Sequence, residues 1–528
     1  MIPHICHNSC RIAAISAIFM IISSPQEIMA QNPERPKIED LKFAELEFIP
    51  PEAIRYELKS GVDVFFLEDH SLPLVSIYAR FKGGSRHFPR NELGAASAVP
   101  ILLRSGGTAD LSPDSVNKLL EFYAAETSFG GGGGTSFGSV NMLKRHLDDV
   151  LEIWGNLLKS PDFDSTSIEV WRGQELEDVR RKQDTPGRLA ISKFNHLLFG
   201  DHPVGWELGE DDLEKSDLTK KILGKAHKKI YCIDNLILGV TGDVTWDEIE
   251  PRLERMLLGW PECNDPLKKP PPPSTVADYG VYIVPRDIEQ STIILGRTSE
   301  IKLDNHSDYF SSRIGNSVLG SSGLTSRLMT RIRTEEGLAY SVASVWTAPR
   351  SSQGIFGIMT QTKSKSTVST ILAILEVLQN MSINPPDKNE VKNAIDRIVN
   401  GFVFNFQNPG QIVSRQMLYI SQGLPLDWLT LYLDGIQDVT TEGIEDLFLK
   451  YLPAHEMDKM VILIVGNPDE FDPGLSELGT IRIIDPEENF SGKSYNPGEL
   501  SKVDANMDGN DTTSKKLPMH ISKTRISH

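Results

Sequence analysis

The chain has little cysteine for its length. Only four cysteines occur in 528 residues: Cys6, Cys10, Cys232 and Cys263. The first two lie in an N-terminal segment that we expect to be removed, so at most one pair remains. This excludes a fold held together by many disulfides and a zinc site built from cysteines. Whether the remaining two cysteines pair is open, and two buried free thiols are the favoured interpretation.

Positive charge is also scarce. Lysine and arginine number 54 against 72 aspartates and glutamates, which gives a formal net charge of -18 and a pI near 5.2. Nucleic acids and anionic membranes bind proteins through a basic face, so we expect neither as a partner.

The apolar run near the N-terminus is short as well. The N-terminal run at residues 12–22 follows a His- and Arg-containing start and precedes a short polar stretch ending at Ala30. A membrane-spanning helix needs about 20 apolar residues, more than this run provides. Residues 1–30 therefore predict a cleaved export signal, with the periplasm as the expected compartment and no membrane span in the mature chain. An uncleaved anchor is the alternative.

Proline-rich sequence divides the rest of the chain. Residues 266–276 contain four consecutive prolines and predict a stiff linker. On either side we expect two domains, at residues 45–265 and 277–487, with an N-terminal extension at 31–44. Residues 488–528 are polar and poor in aromatic residues, which is typical of a disordered tail.

The two predicted domains share a coarse plan, which indicates an internal duplication. Each half has a strand, then a helical stretch, and closes on a similar apolar strand; the corresponding segments are 74–81 and 291–296, 93–104 and 309–319, and 236–243 and 461–469. Strands alternate with amphipathic helical segments in both halves. The sequence therefore predicts an α+β fold of two homologous domains, each a mainly antiparallel sheet covered by helices.

Eight segments, read in order, resemble one family. They are residues 81–86, 94–108, 199–205, 235–244, 290–291, 319–320, 325–328 and 333–340. Their order and spacing resemble the pitrilysin/insulinase-type zinc metallopeptidases over about residues 45–485. The resemblance implies half of a clam-shell particle that encloses a chamber for unfolded peptides.

Active members of that family carry an inverted zinc motif, His-x-x-Glu-His, on the helix after the first strand. In that spacing two imidazoles on one helical face hold the metal, and the Glu takes a proton from the metal-bound water. Here the aligned positions are Ser97, Pro100 and Ile101, which cannot do this work. The later carboxylate ligand of the family aligns with Asp178 or Glu177. No two histidines after the signal lie three or four residues apart, so this chain is expected to bind no zinc of its own.

The second half contains residues that match another part of the family pattern. In the family, an Arg and a Tyr seven residues apart reach towards the zinc site and hold the substrate backbone, and Arg333 and Tyr340 have that spacing. We expect a helix from Thr325 to Glu336, a cap at Gly337 and a strand that begins near Tyr340. A surface Arg and a core-edge Tyr are the structural alternative.

A run of five glycines, residues 130–134, follows Glu126, Thr127, Ser128 and Phe129. The family has at this place a hairpin whose edge strand pairs with the peptide, a mode that needs an open edge and no particular side chains. The four residues are therefore candidates for substrate binding. A simple hairpin turn is the alternative, and the pattern of a phosphate-binding loop is absent.

These observations leave three functional hypotheses. The favoured one is a non-zinc-binding subunit that supplies Arg333, Tyr340 and chamber wall to a homologous zinc-binding partner, with zinc in the partner and unfolded peptides as substrate. The second is a catalytically inactive peptide-binding or scaffold protein of the same fold. The third, an active enzyme with a rebuilt metal site, conflicts with the positions of the histidines.

Overall fold

The computed structural model describes residues 49–264, 267–268, 270–271, 277, 279–456 and 458–485. The predicted export signal, the N-terminal extension, much of the proline-rich linker and the predicted tail lie outside the described residues.

The first half forms a six-stranded sheet with seven α-helices. The strands are β1 (Ile54–Glu57), β2 (Asp63–Glu68), β3 (Leu74–Lys82), β4 (Glu126–Gly131), β5 (Thr135–Leu143) and β6 (Leu236–Gly242). The helices are α1 (Leu93–Ser105), α2 (Pro113–Phe122), α3 (Leu147–Lys159), α4 (Ser165–Asp184), α5 (Pro186–Phe199), α6 (Lys220–Ile230) and α7 (Trp246–Leu257).

The second half forms another six-stranded sheet. Its strands are β7 (Gly280–Pro285), β8 (Gln290–Ser299), β9 (Ala339–Trp346), β10 (Gly354–Lys363), β11 (Val461–Gly466) and β12 (Ile481–Ile483). Its α-helices are α8 (Ser307–Asn316), α9 (Thr367–Ile383), α10 (Lys388–Phe402), α11 (Pro409–Ser421), α12 (Trp428–Gln437) and α13 (Thr441–Tyr451), and two π-helical segments span Ser317–Ser321 and Met329–Glu335.

Strand order confirms the predicted duplication. The first sheet runs β1-β2-β6-β3-β5-β4 and the second runs β12-β7-β11-β8-β10-β9. Five consecutive strands correspond, with one parallel pair (β2 with β6, β7 with β11) followed by antiparallel pairs. The outermost strand differs, because β1 pairs antiparallel with β2 whereas β12 pairs parallel with β7. The fold is therefore α+β, with two mainly antiparallel sheets.

Local sequence explains the two faces of each sheet. Strand β3 alternates, so that Val75, Ile77, Ala79 and Phe81 are buried towards the helices of the first half, while Tyr78 and Arg80 point to the other face. Strand β6 lies between two others and is apolar and buried along nearly its whole length. The first sheet thus has one face covered by its own helices and a second face that needs another cover.

In each half, the second face of the sheet is covered by a helix from the other half. Helix α11 of the second half packs with Val413 and Met417 on Phe65 and Ile237 of the first sheet. Helix α5 of the first half packs with Phe194 and neighbouring apolar residues on the second sheet. The sequence analysis did not anticipate this exchange, because each helix was assigned to the half that contains it.

The two remaining cysteines form a disulfide. Cys232 and Cys263 are bonded, with 5.0 Å between their Cα atoms. The bond lies where the segment after α7 returns to the start of β6, and the Trp260 indole donates to the Tyr231 carbonyl at 2.8 Å beside it. The interpretation of two free thiols was therefore wrong, because the sequence could not show that residues 31 positions apart meet.

Among the described residues, one helical segment is long and apolar enough to cross a membrane. It is Ser364–Ile383, and 56% of its apolar window is buried within the fold. Its apolar residues pack in the core of the second half, as Val368, Ile371 and Ile374 show. A core helix satisfies the same criterion of length and composition.

The exchange of helices can be tested at Gly239 of β6. A Cβ atom added there would lie 2.3 Å from Val413 Cγ1 and 2.5 Å from Met417 Sδ, so α11 must move. We expect Gly239→Ala to lower the free energy of unfolding by about 1–3 kcal/mol. The matched control is Gly224→Ala in α6, where an added Cβ meets nothing within 4 Å and helix propensity predicts a gain of about 0.5–1 kcal/mol. Equal effects of the two substitutions in a urea titration would contradict the close approach of α11.

Candidate functional site

Helix α1 contains the positions aligned with the zinc motif. Its sequence, LGAASAVPILLRS, holds neither histidine nor a carboxylate. Ser97 is half-buried and Ile101 is 45% exposed, whereas Pro100 is buried against the edge strand β4. A Cβ atom added at Gly131 of that strand would lie 2.8 Å from Pro100 Cγ. The helix therefore packs through a proline ring where the family motif has a carboxylate, and these three side chains do not fit a zinc ion.

The carboxylates of α4 make surface ion pairs. Asp178 accepts two hydrogen bonds from Arg188, at 2.9 and 2.6 Å, and this guanidinium lowers the pKa of Asp178. Glu177 accepts from Arg181 at 2.7 Å. Both carboxylates are exposed, so the structure places them on the solvent side of α4.

Sequence analysis missed a third carboxylate on this helix. Glu175 is half-buried, and burial together with the nearby Asp178 raises its pKa. It lies four residues from the buried Trp171 and four from the buried Val179, on the inward stripe of α4. That spacing was visible in the sequence and could have singled out Glu175. Helix α4 packs on α1, so Glu175 is the acidic residue of this region that faces the protein interior.

The four candidate substrate-binding residues lie in β4, at the edge of the first sheet. Within the described residues β4 pairs with β5 alone. Thr127 and Phe129 are partly buried: the Thr127 hydroxyl donates to the Ser139 carbonyl at 2.8 Å, and the Phe129 ring covers Gly138. Glu126 and Ser128 are exposed on the opposite face. The outer backbone edge of β4 has no strand beside it in the described part of the chain, which is the geometry that strand addition requires.

The glycine run forms the tip of the β4–β5 hairpin, which both interpretations predict. The carbonyls of Gly132, Gly133 and Gly134 accept hydrogen bonds from the backbone N–H groups of Ser85, Arg86 and Gly83, at 3.1, 2.9 and 3.0 Å. A Cβ atom at Gly84 would lie 1.9 Å from the Gly132 carbonyl oxygen. Glycine is needed here because two backbone segments touch, and the tip is docked on residues 83–86.

Arg333 and Tyr340 meet on the surface of the second half. The guanidinium carbon of Arg333 lies 4.7 Å from the centroid of the Tyr340 ring, and Tyr340 is 81% exposed. Tyr340 is the second residue of the edge strand β9, and Gly337, at a φ of +64°, ends the preceding helical segment as expected. The stack is a cation–π contact that orients both side chains while leaving them accessible.

The segment before Arg333 differs from the predicted α-helix. It begins as a 3-10 turn at Gly323–Thr325 and becomes π-helical over Met329–Glu335. Two arginines fasten it to neighbouring helices: Arg327 makes a bidentate ion pair with Glu390, at 2.8 and 2.7 Å, and Arg331 pairs with Glu376 at 3.0 Å. Wide helical turns of this kind are rare and occur often at functional sites.

No hydrogen bond or ion pair within the described residues joins the Arg333–Tyr340 stack to α1 or β4. The same part of the chain holds no group of three or more His, Cys, Asp and Glu side chains that could bind a metal. The structure therefore brings together Pro100 with β4, and Arg333 with Tyr340, as two separate groups. The assigned roles of all these residues stay predictions.

The alignment of α1 with the zinc motif can be tested by restoring it. We expect the triple variant Ser97→His, Pro100→Glu, Ile101→His to bind zinc, because positions 97 and 101 lie on one helical face. Adding Glu175→Gln is expected to weaken zinc binding about tenfold or more, and adding Asp178→Asn is expected to leave it unchanged, because Asp178 faces solvent. Titration with a zinc indicator dye measures both; a larger loss from Asp178→Asn would restore the first assignment.

Comparisons with known proteins agree with the resemblance. Residues 217–398 match the family model described as the peptidase M16 inactive domain. The chain is 25% identical over 412 residues to a protein named non-peptidase homolog YmxG of Helicobacter pylori, covering 78% of this chain and 93% of that protein. It is 26% identical over 267 residues to an uncharacterized zinc protease of Streptomyces coelicolor, covering 49% of this chain and 56% of that protein.

Solved structures share the fold. A peptidase M16 inactive domain from Pseudomonas fluorescens superposes with a TM-score of 0.69 at 23% identity, over 79% of this chain and 98% of that chain. The periplasmic protease PqqL from Escherichia coli gives a TM-score of 0.68 at 13% identity, over 80% of this chain and 46% of that chain. The duplicated sheets and a first helix that lacks histidine agree with these matches, so the chain is similar to proteins of the M16 family, the pitrilysin/insulinase type, and residues 217–398 match the inactive domain of that family.

Proposed function

We propose that this chain is the exported, non-zinc-binding subunit of a heterodimeric M16-type peptidase. Its partner is a homologous chain that carries the His-x-x-Glu-His motif and the zinc, and unfolded peptides are the substrates. The observation that carries the proposal is the stack of Arg333 on the exposed Tyr340.

The chemistry of the two side chains supports this role. A guanidinium is a fixed cation with several N–H donors, and a phenol is a directional O–H donor. Both can stabilise the negative charge that forms on a carbonyl oxygen when water attacks it. Neither group needs a metal of its own, so a chain without zinc can supply them to a site that a second chain completes.

The geometry of the first half supports a share in peptide binding. Strand β4 presents an open backbone edge, and α1 packs beside it through Pro100. In the partner the corresponding helix would carry the zinc ligands. In this chain the same helix serves as a wall, because its buried residues, such as Val99 and Leu103, belong to the core of the first half.

Three observations support export. The N-terminal sequence has the plan of a signal. The Cys232–Cys263 disulfide suits an oxidising compartment, since cytosolic thiols are kept reduced. A protein of the same fold, PqqL of Escherichia coli, is described as periplasmic.

The second candidate is an inactive peptide-binding or scaffold protein of the same fold. The name of the Helicobacter pylori relative, a non-peptidase homolog, favours it. In this candidate the open edge of β4 still binds a peptide, but Arg333 and Tyr340 have no part in catalysis. The two candidates therefore differ in what substitution of these two residues does.

The first candidate predicts that substitutions in this chain lower the peptidase activity of its complex with the zinc-binding partner. We expect the chain alone to be inert, and the complex with a His-x-x-Glu-His homologue of the same genome to cleave an unfolded peptide. Arg333→Ala is expected to lower the kcat of the complex by about 100-fold or more, and Tyr340→Phe by about tenfold or more, because each removes a donor to developing charge. Peptide cleavage followed by mass spectrometry measures this.

The matched control is Arg255→Ala, which removes an exposed arginine of α7 that makes only a long ion pair with Asp148. All three variants are expected to keep the melting temperature of the parent, because exposed groups contribute little to stability. An active chain without a partner, or full activity of the Arg333→Ala complex, would overturn the first candidate. Copurification without any cleavage would favour the second.

The disulfide gives a test of export. We expect the chain recovered from an envelope extract to resist thiol alkylation at Cys232 and Cys263 until it is reduced. The double variant Cys232→Ser, Cys263→Ser is expected to lose about 3 kcal/mol of unfolding free energy, from the freed chain entropy of the unfolded state. Alkylation of both thiols in the native chain, read by mass spectrometry, would argue for a reducing compartment.

A further inference from the structure

Two arginines next to the glycine hairpin have no counter-ion in the part of the chain that the structure describes. Arg80 lies in β3 and Arg86 in the 3-10 turn Ser85–His87, and both are half-buried. Within the described residues neither guanidinium has a hydrogen-bond or ion-pair partner. Burial lowers the pKa of both groups, which marks them as partly removed from water.

Other arginines of similar burial are paired. Arg90 makes an ion pair with Asp212, Arg172 pairs with Glu169 at 2.9 Å, and Arg327 donates to Glu390 and to the Asn384 carbonyl. A partly desolvated cation without a partner costs free energy, and proteins rarely keep one without use. The chain has a net charge of -18, so carboxylates are abundant, yet none in the described part of the chain pairs with Arg80 or Arg86.

The sheet register fixes the position of Arg80. It stands between Ile237 of β6 and Phe137 of β5, on the face of β3 opposite the helices of the first half. Helix α11 covers this face as far as Tyr78, where a Cβ atom at Gly410 would lie 2.2 Å from the Tyr78 hydroxyl. Beyond it Phe137 is 43% exposed. Arg80 thus lies where the cover of α11 ends and an accessible surface begins.

That surface continues onto the hairpin. The Phe137 ring lies over Gly130, since an added Cβ there would be 2.5 Å from the ring Cζ. At the tip, the Arg86 side chain lies across Gly133, where an added Cβ would be 2.2 Å from its Nε. Arg80 therefore lies beside the residue pair Gly130–Phe137, next to the turn, and Arg86 lies at the tip. An added Cβ at Gly132 or Gly134 would meet nothing within 4 Å, so there is open space at the tip.

We propose that Arg80 and Arg86 bind carboxylates of a peptide that lies along the β4–β5 hairpin. This rests on the part of the proposed function that places a peptide at β4, and it names the class of peptide: one with acidic side chains or a free carboxyl terminus. A guanidinium matches a carboxylate with two parallel N–H donors. Phe137, exposed beside Arg80, offers an apolar contact. The acidic surface of the rest of the chain opposes nucleic acids and other polyanions.

The test uses four short synthetic peptides of one sequence, labelled at the amino end. They carry either Glu or Gln at the central positions, and either a free or an amidated carboxyl terminus. Fluorescence anisotropy with the full chain alone measures the Kd of each, so no zinc partner is needed. We expect at least one carboxylate-bearing form to bind about tenfold more tightly than the doubly neutral form, since a charge-assisted hydrogen bond is lost in the latter.

The arms of the test separate the two sources of the carboxylate. Preference for Glu over Gln identifies acidic side chains, and preference for the free over the amidated end identifies the carboxyl terminus. The preference is expected to shrink in Arg80→Gln and in Arg86→Gln, to survive in part in Arg80→Lys, and to be unchanged in the control Arg255→Gln. Equal binding of the four peptides, or no binding of any, would overturn the proposal.

Thermal unfolding separates binding from a structural role. Removal of an unpaired, partly desolvated cation is expected to leave the melting temperature of Arg80→Gln unchanged or raised. A clearly lower melting temperature in Arg80→Gln, restored by Arg80→Lys, would show that the arginine stabilises the fold and would contradict the proposal. A failure of the two-chain peptidase model leaves this result untouched, because neither measurement involves cleavage.

Discussion

The exchange of helices between the two halves is the constraint on which the rest of the structure depends. Each sheet has an apolar second face that its own helices do not cover, and α11 and α5 cover these faces reciprocally. Because Gly239 lets α11 approach β6 to contact distance, the two halves are joined by core packing as well as by the chain. The cover is partial, however. It ends near Tyr78, so β5 and β4 keep an accessible face and an open edge, and these are where the candidate peptide contacts lie.

The same packing explains why the fold does not need a zinc motif in α1. The buried residues of α1, such as Ala98, Val99 and Leu102, hold the helix in the core of the first half, whereas Ser97 and Ile101 point outwards. Imidazoles at these outward positions add chemistry but little packing. Pro100, at the position aligned with the family's general base, packs beside Gly131. The packing of α1 therefore does not depend on the residue types that the zinc motif requires.

Much of this arrangement could be predicted from sequence, and the reasons for the exceptions are physical. Periodicity and the repeated pattern located the strands 74–81 and 236–243 and their counterparts, because burial on one or both faces leaves a local signature. The Cys232–Cys263 bond, the exchange of α5 and α11 and the π-helical turns before Arg333 are tertiary results with no local signature. Glu175 is an intermediate case, because its burial had a local signature that the sequence analysis did not use. Its spacing from Trp171 and Val179 was in the sequence, but a family alignment drew attention to the exposed Asp178.

Residues whose positions are not explained by packing are the best guide to the function of this chain. Core packing explains the apolar residues of α1, β3 and β6. Ion pairs with Glu390 and Glu376 explain the positions of Arg327 and Arg331. Packing gives no reason for a tyrosine to stand 81% exposed under a guanidinium. It gives no reason either for Arg80 and Arg86, both half-buried, to lack acceptors among the described residues of a chain so rich in carboxylates. These features cost stability or contribute none, and they lie on surfaces where a partner or a peptide can reach them. An inactive member that served only as a scaffold could replace all of them with neutral residues and fold as well or better. Their presence is the physical argument for the proposed contacts with a peptide or a partner.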